Sequence, residues 1–207
     1  MRTFKKKDLA ILLSRLHPFS AHRADLEQYQ TECEIAADVL WNAYLAGHVE
    51  GKTVADLGCG TGILGFGAAL LGAKKVYLVD TDERALAVAR KNKLFLTQHI
   101  NRKLPCTFRY TDVRRFAPHV DTVLQNPPFG VQNIHADQVF LLSAMRCGEV
   151  VYSFHKYDTR PFIERFVAEH GFHAVLVRRY DFPLKKTLAF HRKKVHFVDV
   201  GVWRLAH

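Results

Sequence analysis

Asn126, Pro127, Pro128 and Phe129 follow an apolar run in "DTVLQNPPFG" (121–130), at the point where a buried strand should end. Asn126 and Pro127 each precede a proline, which biases both to extended backbone, and the rings fix φ at 127 and 128. The result is a stiff strut that presents two acceptors, the Asn126 side-chain oxygen and the Pro127 carbonyl, with Phe129 as a flat wall. A planar nitrogen carrying two N–H groups fits such a place. That nitrogen is a poor nucleophile because its lone pair is delocalised. Acceptors pulling on its hydrogens favour the pyramidal form reached in the transition state. A plain strand-ending turn is the competing reading.

A second constellation lies upstream. In "ADLGCGTGILG" (55–65), Gly58, Gly60 and Gly62 join an apolar run to a helix-period segment. Glycines allow a sharp turn and close approach of a ligand, and the helix start offers unpaired N–H groups. Asp80 closes the next apolar run, twenty residues after Gly60, where a carboxylate can accept from both hydroxyls of a ribose. "GTGILG" (60–65) also satisfies the dinucleotide pattern G-x-G-x-x-G, so NAD is an alternative. Asp56, just before the loop, suits an ammonium better than a pyrophosphate, and the proline strut has no role in hydride transfer. S-adenosylmethionine has the matching parts: adenine, ribose, sulfonium and an amino-acid tail. Asp112, in "TDV" (111–113), is placed to meet the adenine amino group or to serve only as a turn residue.

These residues need a scaffold that brings strand ends together. Apolar runs at 53–58, 76–80, 105–110, 121–126, 149–154, 173–180 and 195–203 read as seven strands. Helical spacing at 62–72, 82–96, 136–146 and 159–171 separates most of them, with Asp82 and Asp158 or Thr159 as N-caps and Gly72 and Gly171 as stops. Alternation of this kind predicts an α/β fold, a mostly parallel sheet covered on both faces. The last two strands, with no helix between them, should pair antiparallel at one edge. Two more helices are expected near 5–16 and 32–46; the first gathers Leu9, Leu12, Leu13 and Leu16 on one face for docking onto the sheet. Its lysines, Lys5, Lys6 and Lys7, are an alternative substrate contact.

Composition narrows the partner. The chain has 207 residues, 30 Lys+Arg against 20 Asp+Glu, and a formal net charge of +10, which favours a polyanion or else a merely basic surface. Lys185, Lys186, Arg192, Lys193 and Lys194 cluster between the two final strands, alongside Phe190 and His191. We expect phosphate contacts there, against a solvated hairpin tip as the bland reading. His155 and Lys156 close the fifth strand on the crevice side and are expected to order the substrate near Phe129. Four cysteines without C-x-x-C or metal-ligand spacing suggest reduced thiols, no metal and a cytoplasmic setting. No apolar run reaches the ~18 residues of a membrane span.

"NPPF" after "ADLGCGTG" resembles the class I amino-methyltransferases that use S-adenosylmethionine. "EQYQT" (27–31), "YSFHK" (152–156), "RYDFP" (179–183) and "FHRKK" (190–194) extend the resemblance over nearly the whole chain, to the methyltransferase-like protein five family. That family consists of archaeal and eukaryotic rRNA adenine-N6 methyltransferases. The resemblance implies a Rossmann-like seven-stranded core over 51–207 and an N-terminal helical extension over 1–50 that contributes to the site. It places the cofactor against Gln28, Thr31, Gly58, Thr61, Ile63, Asp80, Asp112 and Val113, and the catalytic motif on Asn126, Pro127, Pro128 and Phe129. Thr61 stands where eukaryotic members commonly carry a cysteine. The eukaryotic enzyme works with a small zinc-binding activator subunit, for which the third strand, as an open sheet edge presenting Phe108 or Cys106 and Tyr110, is the expected dock. The reading is N6-methylation of an adenosine in structured RNA, small-subunit rRNA foremost. Its rivals are methylation of a protein glutamine amide, methylation of a DNA base, and a non-catalytic RNA-binding scaffold.

Overall fold

The computed structural model describes residues 4–19, 31–128, 136–184 and 196–207. Its elements run α1 (Lys6–Ser14), α2 (Cys33–Leu45), β1 (Thr53–Leu57), α3 (Ile63–Leu70), β2 (Lys75–Asp80), α4 (Glu83–Ile100) and β3 (Cys106–Tyr110). They continue with β4 (Val120–Gln125), α5 (Ala136–Cys147), β5 (Gly148–Lys156), α6 (Arg160–Ala168), β6 (His173–Leu184) and β7 (His196–Ala206).

The strands form one sheet in the order β3-β2-β1-β4-β5-β7-β6. The first five are parallel, and β7 runs antiparallel to both β5 and β6. The expected antiparallel edge pair is therefore present, with the last strand on its inner side. Strand order reverses between β1 and β4, and in open α/β sheets that point opens a crevice at the carboxyl ends of the strands. The glycine loop leaves β1 there and the Asn–Pro–Pro segment leaves β4.

Two apolar layers sandwich the sheet. One packs Leu40, Phe66, Leu78, Leu86, Leu96 and Leu124 together under the first four helices. The other packs Tyr77, Val123, Leu141, Ile163, Val167 and Trp203 beneath α5 and α6. α3 is apolar all round because it lies between the sheet and the N-terminal helices: every residue from Ile63 to Ala69 is buried. α1 contacts α2 and α3 rather than the sheet, burying Leu9, Leu13 and Leu16 while Leu12 stays half-buried. Full burial of each such side chain contributes ~1.5–3 kcal/mol, so Leu13→Asp should release this helix.

Asp82 caps α4 as expected, accepting from the Arg84 N–H at 2.9 Å. Thr159 occupies the N-cap position of α6 but caps nothing; its hydroxyl instead donates to the Lys156 carbonyl at 2.7 Å. The expectation of a side-chain cap from Asp158 or Thr159 is not met; Pro161 in the first turn favours the helix start through its fixed φ. α4 outruns its expected end and stops at Asn101, which adopts the left-handed conformation with φ 50°. No helix among the described residues is long and apolar enough to cross a membrane.

Candidate active site

β1 and β2 run side by side, with Asp56 in register with Leu78 and Leu57 with Val79. Beyond Leu57 the chain turns through Gly58, Gly60 and Gly62, all at positive φ. Asp80 holds the turn from the neighbouring strand: its Oδ2 accepts from the Gly60 N–H at 2.7 Å and its Oδ1 from the Asp82 N–H at 2.8 Å. Burial raises the Asp80 pKa, with these two N–H groups opposing the rise. Each carboxylate oxygen still has a lone pair to offer, so the residue suits a diol as well as the loop.

Asp56 has a different surrounding from the one expected. It is buried, and its Oδ2 accepts from the Gly65 N–H at 2.8 Å, bracing the first turn of α3. Burial pushes its pKa up to about 7 against the pull of that N–H, and the Asp80 charge adds to the rise. The bond seen at Asp56 thus fixes the loop rather than reaching outward to an ammonium. Thr61 is buried with no hydrogen-bond partner for its Oγ1 among the described residues, and Ile63 opens α3, also buried. Cys59 is buried, and burial pushes its thiol well above the usual range.

At the end of β3, Asp112 caps a short 3₁₀ turn that begins with the buried Val113. The sequence reading missed its partner Arg114, whose Nε and Nη2 donate to the two carboxylate oxygens at 2.9 and 2.6 Å. That guanidinium holds the Asp112 pKa down to about 2. An adenine amino group would share this carboxylate with Arg114. The i, i+2 spacing of Asp and Arg around a turn is the signal that could have given the pair.

Across the crevice, the β4–β5 ladder ends at Gln125 with Ser153, so Asn126 lies beyond it. Its Nδ2 donates to Thr31 Oγ1, just ahead of α2, at 3.0 Å. Asn126 Oδ1 is buried and has no hydrogen-bond partner among the described residues. Leaving such an acceptor unmade costs ~1–3 kcal/mol, and a donor brought by a ligand recovers that cost. Thr31, accepting from Asn126, keeps its own hydroxyl proton to donate. Pro127 is buried and Pro128 half-buried. Two expected site residues, Thr31 and Asn126, are therefore brought into contact from opposite ends of the fold.

His155 requires a correction. Side chains alternate across a strand, and His155 shares the α5–α6 face with Ser153 and Gln125, whereas Asn126 faces the other side with Leu124. It is buried, its Nε2 lies 2.6 Å from Ser153 Oγ, and Ser153 Oγ accepts from Gln125 Nε2 at 2.9 Å. Burial drives its pKa down to about 3, so the ring is neutral. His155 belongs to the core, on the face of the sheet opposite Asn126. Lys156 is half-buried at the end of β5. Gln28, Phe129, Lys185, Lys186, Arg192, Lys193 and Lys194 lie outside the described residues.

S-adenosylmethionine fits this donor set: a carboxylate beside a glycine turn, an open buried hydroxyl at Thr61, and a second carboxylate at the end of the third strand. The fold is shared with magnesium protoporphyrin IX methyltransferase of Synechocystis with bound SAM, at a TM-score of 0.64 and 16% identity over 83% of this chain and 78% of that one. A candidate RNA methyltransferase of Pyrococcus horikoshii superposes with a TM-score of 0.84 and 42% identity, covering 99% and 98% of the two chains. The family model of the methyltransferase small domain matches residues 30–147. Among named relatives, the rRNA N(6)-adenosine-methyltransferase METTL5 of Danio rerio is 33% identical over 96% of both chains. The Drosophila melanogaster protein of the same name is 32% identical over 99% of this chain and 97% of its own. The chain belongs to the methyltransferase small-domain family and, within it, to the methyltransferase-like protein five branch.

Proposed function

We propose that the protein methylates the exocyclic N6 of an adenosine in structured RNA, small-subunit rRNA foremost, with S-adenosylmethionine as the methyl donor. The observation that carries this reading is the buried Asn126 Oδ1 at the end of β4, which has no partner among the described residues. It offers an acceptor that no described residue completes and that a ligand N–H would. The relatives named as rRNA N(6)-adenosine methyltransferases support the choice of adenine over a protein amide.

Bound S-adenosylmethionine supplies an electrophilic methyl group. The protein's own residues mainly position its partner, and such positioning is worth an effective molarity on the order of 10⁵–10⁸ M. Asn126 Oδ1 accepts one amine hydrogen and the Pro127 carbonyl the other, while Thr31 fixes the Asn126 amide. Methyl transfer would form the C–N bond, break the sulfur–methyl bond to leave S-adenosylhomocysteine, and release one amine proton to water from the resulting cation, so no strong base is needed. Asp80, with Gly58, Gly60, Thr61, Ile63, Asp112, Val113 and Gln28, holds the cofactor. Phe129 stacks on the base, which costs a few kcal/mol to flip if it is paired. Nucleoside analysis of rRNA from cells with and without the gene tests the reading. Loss of an N6-methyladenosine is expected, and an unchanged nucleoside profile overturns it.

Lys185, Lys186, Arg192, Lys193 and Lys194 contact phosphates. Replacing Arg192, Lys193 and Lys194 with alanine should flatten the salt dependence of RNA binding by roughly 0.7–0.9 per lost contact. The small zinc-binding activator docks on β3, an outer strand of the sheet. There Cys106 is buried and Phe108 is half-covered by Arg90 and Lys93, which leaves Tyr110, 66% exposed, as the contact. Tyr110→Lys should abolish co-purification of the activator, and full activity of the lone wild-type monomer would remove the need for one. Reduced cysteines and an rRNA substrate fit a cytoplasmic setting.

A further inference from the structure

The chain leaving α1 is bound into the wall of the glycine loop. Asn92, on α4, is completely buried and uses its whole carboxamide to make that connection. Its Oδ1 accepts from the His17 N–H at 2.7 Å. Its Nδ2 donates to the His17 carbonyl at 3.1 Å and to the Thr61 carbonyl at 3.0 Å. One side chain therefore joins the N-terminal segment, 75 residues away, to a loop residue 31 residues away. Two residues past His17, the Phe19 ring lies against Gly60: a Cβ placed on Gly60 would stand 2.9 Å from Phe19 Cζ. Gly60 is the loop residue whose N–H is tied to Asp80. Any side chain there would displace the ring, so the glycine serves the turn and the close approach of Phe19 together.

We propose that Phe19 is an aromatic wall of the cofactor pocket, seated on Gly60, and that Asn92 is the positioning residue that holds it there. The proposal rests on the assignment of the glycine loop to S-adenosylmethionine. A flat apolar face beside this loop suits a ligand that carries both an adenosyl group and a sulfonium, since aromatic faces attract both. Phe19 is half-buried, so part of its ring stays open beside this loop.

Calorimetric titration with S-adenosylmethionine and S-adenosylhomocysteine, beside thermal melts of the ligand-free proteins, tests the proposal. Phe19→Ala should weaken both ligands about tenfold, as expected for one lost aromatic contact. The ligand-free variant should still melt cooperatively, at a modestly lower temperature, since the ring also packs on Gly60. Phe19→Tyr should restore affinity to within about twofold and Phe19→Leu should not, because the role requires a ring face. Asn92→Asp keeps the size but loses both N–H donors, and should weaken the ligands in the same direction without altering the RNA dissociation constant. Wild-type affinity in Phe19→Ala, or equal rescue by leucine and tyrosine, overturns the proposal while the loop assignment stands. A wild-type protein that binds neither ligand overturns the loop assignment and the proposal with it.

Discussion

In the half of the crevice built by β1 and β2, each carboxylate is met by nearby backbone. Asp56 takes the N–H of a residue nine positions on, and Asp80 takes one two positions on and another twenty positions back. In the half built by β4 and the N-terminal helices, the partners come from far along the chain. Asn126 is met by Thr31 across 95 residues, and Asp38 of α2 by Arg178 of β6 across 140. The carboxylate contacts of the first half lie within two paired strands and the segments that follow them. The second exists only once α1 and α2 have docked. Loosening α2 at the Asn126–Thr31 contact should therefore cost methyl transfer more than cofactor affinity, as long as Phe19 keeps its seat on Gly60.

The largest effect expected lies at the long-range half. Asn126→Ala removes the open acceptor and the contact to Thr31, and should abolish methyl transfer while cofactor affinity stays within a few-fold. A radiolabelled transfer assay beside calorimetry measures both. Near-normal turnover in the variant would remove Asn126 from the reaction. Next comes the local half. Asp80→Ala should weaken S-adenosylmethionine and S-adenosylhomocysteine alike, by roughly ten- to a hundred-fold, since a charge-assisted hydrogen bond is worth ~1.5–3 kcal/mol. Part of that loss arises from the Gly60 turn, which Asp80 also holds. Unchanged affinity for both ligands would mean that the ribose lies elsewhere.

The difference between the halves also explains what could be read from the sequence. Gly58, Gly60, Asp80 and Asp82 act through partners within about one strand–turn–strand unit, so their roles follow from spacing. Alternating apolar runs gave the seven strands for the same reason. Thr31 entered only through family resemblance, because its bond to Asn126 depends on how α2 meets the end of β4. Asn92 had no signal at all, being one polar residue inside an amphipathic helix. His155 misled because a strand end near the crevice has two faces, and only the register of β4 and β5 reveals which face it takes.

Asp38 tests the packing on which the second half depends. Its carboxylate accepts from Lys6 Nζ, Arg178 Nη1 and Tyr180 OH at 2.7, 2.5 and 2.7 Å, which ties α1 and β6 to α2. Burial alone would raise its pKa, but these partners bring it down to about 2, below the usual 3.8. The stabilisation is thus present above pH 3.8 and is lost as the pH falls towards 2. Lys6 and Arg178 are about half exposed, so solvent screening limits the contribution to about 1–2 kcal/mol. Asp38→Asn should lower stability by that amount at neutral pH, and the gap from wild type should close on acidification. Denaturant melts at pH 7 and pH 2 measure it, since at pH 3 native Asp38 is still mostly ionised and about half of the gap should remain. A gap that persists at pH 2 would assign the effect to shape rather than charge.

His155 should produce the smallest change in turnover and so separates the two faces of the sheet most sharply. If it faced the substrate, His155→Ala would slow methylation of bound RNA. Because it lies under Trp203 on the α5–α6 side, turnover per folded molecule should equal that of wild type. The cost should fall on the fold. Burial depresses its pKa from 6.5 to about 3, so in acid the unfolded chain binds a proton that the native state refuses. Stability carried this way is complete above pH 6.5 and drains away as the pH falls towards 3. The alanine variant should be less stable at pH 7.5 yet show a flatter loss of stability between pH 6.5 and 4. Denaturant titrations across that range, paired with single-turnover assays at neutral pH, read both quantities. A turnover defect with an unchanged pH slope would return His155 to the crevice. A flattened slope with normal turnover leaves the reaction to the Asn126 face alone.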